Sequence, residues 1–165
     1  MNVNLEQKQK YEKWVIEPDT YIGTIVEISD IKTEKGFPQK NKDGTVESKM
    51  VDKFRIEVEL DYLINNRKVK LPYFLNATVS HASKSDGYSD SKLYTLLEQA
   101  NELEAFKGMW AVLTDKSKEE QNKWFIDWLR AKLLSRKIKI MPKTVKSSFD
   151  GSPYSIIGQV IKFEN

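Results

Sequence analysis

The stretch DKFRIEVELDY, residues 52–62, alternates apolar and charged side chains without a break. Phe54, Ile56, Val58 and Leu60 fall on one side, and Lys53, Arg55, Glu57 and Glu59 on the other. Side chains of a strand point to alternate faces, so the pattern predicts a β-strand with one buried and one solvated face. Asn65-Asn66 follows, a pair that suits a tight turn, and predicts a hairpin. Residues 67–76 alternate again, with Val69, Leu71, Tyr73 and Leu75 one way and Lys68, Lys70 and Phe74 the other. Pro72 has no amide donor, so this strand lies at a sheet edge or carries a bulge.

Working outward, residues 20–32 read as an earlier strand. Ile22, Val26 and Ile28 share one face and Tyr21, Gly23 and Ile25 the other, which suits a curved strand that Gly23 lets bend. Residues 33–51 hold Gly36, Pro38, Asn41, Asp43 and Gly44, and read as a loop or a long hairpin tip. Downstream, the polar, serine-rich residues 80–90 form a loop. Ser91 can cap a helix starting at Lys92, with the stripe Leu93, Leu96, Leu97, Ala100 and Leu103, and Gly108 closes or follows it. Residues 109–113 are apolar and carry no period that types them. Ser117 can cap a second helix, with Glu119 and Glu120 in its first turn and Trp124, Phe125, Trp128, Leu129 and Leu133 as its apolar face. Two last strands follow at 136–146 and 154–163, joined by a turn containing Asp150-Gly151. Ile138 and Ile140 alternate with Lys137, Lys139 and Met141; Ile156, Gly158 and Val160 oppose Ile157, Ile161 and Phe163.

The resulting order is strand, strand, strand, helix, strand, strand. It predicts a mainly β fold with helices: a five-stranded OB-fold, a Greek-key barrel, with a helical insertion between strands 3 and 4 at about residues 91–135. The length fits one domain over residues 18–165. Residues 1–17 could form a short helix around 6–14 and read as an arm packed on the body by Trp14 or as a partly disordered segment.

Composition narrows the partners. There is no cysteine, so disulfides and thiolate metal sites are excluded. A net charge of +3 is low for a strong non-specific nucleic-acid binder, so the distribution of charge matters more than its total. No run of about 18 apolar residues occurs, and residues 1–13 lack the apolar core of a secretory signal. The expected location is the cytoplasm of the producing or host cell, with no membrane partner.

Three short segments carry a resemblance. YIGTIVEI at 21–28 looks like the first strand of small OB-fold proteins of phages, archaeal viruses and plasmids. SKLYTLL at 91–97 resembles the helix start after their third strand, and LLSRKIKI at 133–140 their approach to the fourth, with Ser135 in place of the usual glycine. The resemblance spans about residues 20–163 and implies binding of single-stranded nucleic acid, as in replication or recombination. It assigns no particular binding residue.

Single-strand binding needs basic side chains for phosphates and exposed rings for bases. On the solvated face of the two central strands the candidates are Lys53, Arg55, Lys68, Lys70 and Phe74; the first long loop adds Lys35 and Phe37. The second adds Lys143, Lys146 and Phe149, with Tyr154 just after. Single lysines are common on any solvated strand, and Glu57 and Glu59 on the same face repel phosphate. Phe37 and Phe149 sit among turn residues, where burial is harder. Trp124 and Trp128 pack their helix or, where exposed, offer a surface for a protein partner or self-association. His81, the single histidine, has no catalytic or metal-binding partners nearby in sequence. The expected function is therefore non-catalytic, with no cofactor and no metal: low-specificity binding of single-stranded nucleic acid, DNA in the first place. The alternatives are a protein-interaction module on the same fold or an accessory protein that binds a sugar or another small ligand.

Overall fold

A computed structural model describes residues 13–36, 38–82 and 90–164. Over these described residues the chain is mainly β, with an open antiparallel sheet and three helices. The strands are β1 (Tyr21–Ile28), β2 (Lys32–Lys35), β3 (Gln39–Lys40), β4 (Val46–Glu47), β5 (Met50–Ile64), β6 (Arg67–Asn76), β7 (Lys137–Lys146) and β8 (Pro153–Phe163). Between β6 and β7 lie α1 (Lys92–Gln99), α2 (Leu103–Ala111) and α3 (Lys118–Leu133).

β5 is the spine of the sheet. Phe54, Ile56, Val58 and Leu60 are buried, and so are Val69, Leu71, Tyr73 and Leu75 of β6. Asn65 and Asn66 both have positive φ and join Ile64 to its partner Arg67, the two-residue turn the sequence predicts. Pro72 is accommodated because β6 pairs only with β5 and leaves its other edge unpaired. β1 and β2 lie in turn along the opposite edge of β5, and β3 and β4 pair with each other as a separate two-stranded sheet further out. The described residues of 33–51 are therefore hairpin arms with a tip at 41–45, rather than an irregular loop. β7 pairs with β1 and β8 with β7, so the sheet runs β6–β5–β1–β7–β8.

Two faces differ from simple alternation. A bulge between Ile25 and Glu27 shifts the phase of β1, so Ile25 and Ile28 are both buried while Ile22 and Val26 face out. Gly23 has the room it needs: an added Cβ would lie 2.7 Å from Val58 Cγ1 and 2.8 Å from the Glu59 carbonyl. Bulges at Lys139/Ile140 and Met141/Pro142 shift the β7–β8 register as well, and Ile157, Val160 and Phe163 join one core instead of dividing between faces.

The helices cover the core side. Ser91 caps α1 by accepting from the Tyr94 amide, and Ser117 caps α3 by accepting from the Glu120 amide. α1 ends at Gln99, with Ala100 as its cap and Asn101 just after it at a φ of 62° as the left-handed stop, and not at Gly108, which lies inside α2. Residues 109–112 are the last turn of α2 and its cap, and Leu113 follows them as a buried turn residue. Arg136 finishes α1 from outside: its Nη1 donates to the Ala100 carbonyl at 2.9 Å while its guanidinium lies over the Phe163 ring. Gln99 donates to the Val160 and Ile161 carbonyls, so α1 supplies partners to the edge of β8. Arg130 of α3 donates from Nε and Nη2 to the Ile28 carbonyl, tying that helix to the end of β1. The buried face of α3 is Phe125, Ile126, Leu129 and Leu133. Trp124 is not part of it; it is 56% exposed.

The short helix expected around 6–14 falls mostly outside the described residues. Lys13 and Trp14 belong to neither helix nor strand. The Trp14 carbonyl accepts from the Ser155 amide at 2.6 Å, and Ile16 is buried.

Candidate nucleic-acid interface

The solvated face of β5 and β6 can be read row by row from the register. Lys53 stands between Asn76 of β6 and Lys32 of β2. Arg55 stands opposite Phe74, whose ring is 47% exposed. These four side chains, Lys32, Lys53, Arg55 and Phe74, form a basic and aromatic group at the base of the long hairpin. Lys32 was not singled out from the sequence, because its neighbour across the sheet is set by a register that the sequence does not display.

The next rows reverse the charge. Glu57 faces Pro72 on one side and Glu27 on the other, and Glu59 lies between Lys70 and Thr24. Arg55 Nε is 2.8 Å from Glu57 Oε1, and Lys68 Nζ is 3.6 Å from Glu59 Oε1. Lys68 and Lys70 thus meet a carboxylate band before they could meet a phosphate. Beyond it, Lys137 pairs with Asp61 at 3.4 Å.

Lys35 does not join the group. Strand alternation puts Thr33 and Lys35 on the face opposite Lys32, where Thr33 Oγ1 donates to Asp52 Oδ1 at 2.7 Å and Lys118 reaches the other oxygen at 3.1 Å. The Thr33 hydroxyl first, and Lys118 with it, hold the Asp52 carboxyl below its ordinary range against the opposing effect of burial. Phe37 lies outside the described residues.

The second loop makes a separate group. The Lys146–Pro153 pair closes β7 against β8, and residues 147–152 form the turn. Phe149 is 98% exposed at its tip. Asp150 Oδ1 accepts from both the amide and the hydroxyl of Ser152, which holds its carboxyl down to about 2. Lys13 comes in from the amino-terminal segment: its Nζ donates to Ser147 Oγ at 3.0 Å and lies 5.6 Å from the Tyr154 ring centre. Lys143 stands apart, its stem laid across Gly158 and its charge near Lys92, whose ammonium lies over Tyr73. Burial first, then Lys143, push the Lys92 pKa down.

The two groups sit beyond opposite ends of β1. The hairpin continues past Ile28, whereas β7 runs antiparallel to β1, pairs Ile140 with Tyr21 and carries on to the 147–152 turn. Of the residues expected to bind, Lys53, Arg55 and Phe74 share one face, whereas Lys146, Phe149 and Tyr154 are neighbours along the 146–154 hairpin only: Tyr154 pairs with Val145, so strand alternation puts Lys146 on the other face.

Elsewhere, His81 is built into the start of α1: Nδ1 is 2.9 Å from Asp90 Oδ1 and its ring stacks on Tyr94. Trp128 is half-buried against Phe106 and Phe125, while Trp124, Trp110 and Val112 are exposed on α2, its cap and α3. No group of three His, Asp or Glu side chains placed to hold a metal ion occurs among the described residues. No helix among them is long and apolar enough to cross a membrane. No protein-family model matches the chain, and no curated protein matches it.

Proposed function

We propose that the chain is a five-stranded OB-type barrel, partly open between β6 and β8, that binds single-stranded nucleic acid without catalysis and with little sequence preference. The observation that carries this reading is the row Arg55–Phe74 beside Lys53 and Lys32, on the outer face of β5 and β6, which are the second and third in chain order of the five long strands β1, β5, β6, β7 and β8. That face, with the loops flanking it, is where OB-folds take oligonucleotides. Phosphates meet Lys32, Lys53 and Arg55, and a base stacks on Phe74. The carboxylates of Glu27, Glu57 and Glu59 bound the track on one side, which directs the strand along the hairpin rather than across the sheet.

The test is a titration of fluorescent oligothymidine at low and high salt. Binding that weakens steeply with salt is the expected result, since each neutralised phosphate releases counterions. No binding at low salt overturns the reading. A second reading, a protein-interaction module, is favoured by the exposed Trp124 with Trp110 and Val112 nearby in the α2–α3 unit. A mass measurement in solution with and without the oligonucleotide separates the two: self-association independent of DNA and sensitive to Trp124→Ala supports the second.

A further inference from the structure

Phe149 touches so little that packing cannot set its direction; only the backbone of its loop can. That backbone is braced internally. The Ser147 amide donates to the Ser152 carbonyl at 2.8 Å, and the Gly151 amide, with φ of 71°, returns to the Ser147 carbonyl at 2.9 Å. Ser147 Oγ accepts the Phe149 amide at 3.2 Å. The same oxygen accepts Lys13 Nζ at 3.0 Å, and that ammonium lies 3.9 Å from Asp150 Oδ1. Lys13 therefore touches the loop on both sides of Phe149 in sequence.

Lys13 is itself anchored. The residue after it, Trp14, gives its carbonyl to the Ser155 amide and lies under the Arg67 guanidinium. Two residues on, the Ile16 amide donates to Ser155 Oγ at 2.9 Å, and Ser155 is 2% exposed. The segment 13–16 is thus fixed to β8, and through Lys13 it fixes the loop.

We propose that Lys13 is a positioning residue for a second nucleobase contact, separate from the Arg55–Phe74 row and beyond the other end of β1: it braces the 147–152 turn through Ser147 and Asp150 and so aims the Phe149 ring at an unpaired base. This rests on the nucleic-acid reading above. The ligand chemistry is a flat nucleobase free of a duplex partner, stacked on one face of the ring, with its phosphate near Lys146.

Two readouts test it. The chain has no cysteine, so Ser148→Cys carries a single nitroxide label. Without any ligand, Lys13→Ala should narrow the label's spectrum toward fast motion, and Lys13→Arg should restore it; an unchanged spectrum overturns the brace. With fluorescent oligothymidine, Lys13→Ala should weaken binding about fivefold in the wild-type background and less than about twofold when Phe149→Ala is already present. Equal losses in both backgrounds overturn the proposal and mark Lys13 as a simple phosphate contact. If the wild-type chain binds no oligonucleotide, the stacking role falls with the nucleic-acid reading, while the label spectra still report whether Lys13 holds the loop.

Discussion

Arg55 lies directly opposite Phe74 in the β5–β6 ladder, with its Nε 2.8 Å from the carboxylate of Glu57 on the same strand. This row, which pairs a guanidinium with an exposed ring, is thus partly neutralised from within its own strand. Phe74→Ala should weaken oligonucleotide binding by about 1–3 kcal/mol, the worth of one stacked base, with little change in stability. Glu57→Gln should act the other way. It removes a charge that repels phosphate and loosens Arg55, so affinity at low salt should rise about threefold, with a steeper dependence on salt. Fluorescence anisotropy with both variants checks the pair; a Glu57→Gln variant that binds more weakly counts against this face as the track.

The neighbouring aromatics of α3 should behave oppositely to each other. Phe125 is buried and stands edge-on to Phe54 and Phe106, so Phe125→Ala leaves a cavity at the junction of helix and sheet. A loss of about 3–5 kcal/mol is expected. Trp124, one residue earlier, projects outward, and Trp124→Ala should fall within about 0.5 kcal/mol of the parent protein. Urea unfolding followed by circular dichroism measures both. Equal losses would mean that Trp124 is buried in solution by a second molecule.

The contrast also shows what the sequence could and could not disclose. In β5 the pairs from Lys53–Asn76 to Glu59–Lys70 run without a bulge, so each alternate residue keeps its face and the strand reads directly. In β1 and β8 the bulges move residues between faces, and a bulge is decided by the partner strand rather than by the strand itself. The carboxylate beside Arg55 was legible, because residues two apart in a strand share a face. Lys13 was not: its partner Ser147 lies 134 positions away, and only the folded chain brings them together. Trp124 was misassigned because Phe125 and Ile126 follow it, and a run of apolar residues does not say which one points inward.

Ser135 is a strained point of the backbone. Among the described residues, five others have positive φ: Asn65, Asn66, Asn101, Gly44 and Gly151; Ser135 at 71° is the one that is neither asparagine nor glycine. Its amide donates to the Ile25 carbonyl at 2.8 Å, so the conformation is needed to start β7 beside β1. The left-handed region costs an ordinary L-residue about 1–2 kcal/mol, part of which glycine gives back through its freer unfolded chain. Ser135→Gly should therefore stabilise by about 0.5 kcal/mol, and Ser135→Val, branched at Cβ, should destabilise by about 1–3 kcal/mol. Thermal melts of the two variants give the sign of each; a destabilised glycine variant would show that the serine side chain contributes more than its backbone costs.

The 147–152 turn should come apart in a defined acid window. Ser152 hydrogen bonds lower the Asp150 carboxyl to about 2, with Lys13 adding a smaller pull. An unperturbed aspartate titrates near 3.9. Because the folded value is the lower one, the folded turn favours the ionised form. Its contribution is fully present above about 4, falls as the pH drops, and is gone once the pH has passed below about 2. The group is fully open to solvent, so the global stability of the chain should barely move; the effect is local. A nitroxide at Ser148→Cys, or the Gly151 amide resonance, should report an ordered turn down to about pH 3 and a loosened one below it. Asp150→Asn should loosen the turn at neutral pH and abolish the transition. A turn that loosens instead near pH 6 would point to a group other than Asp150.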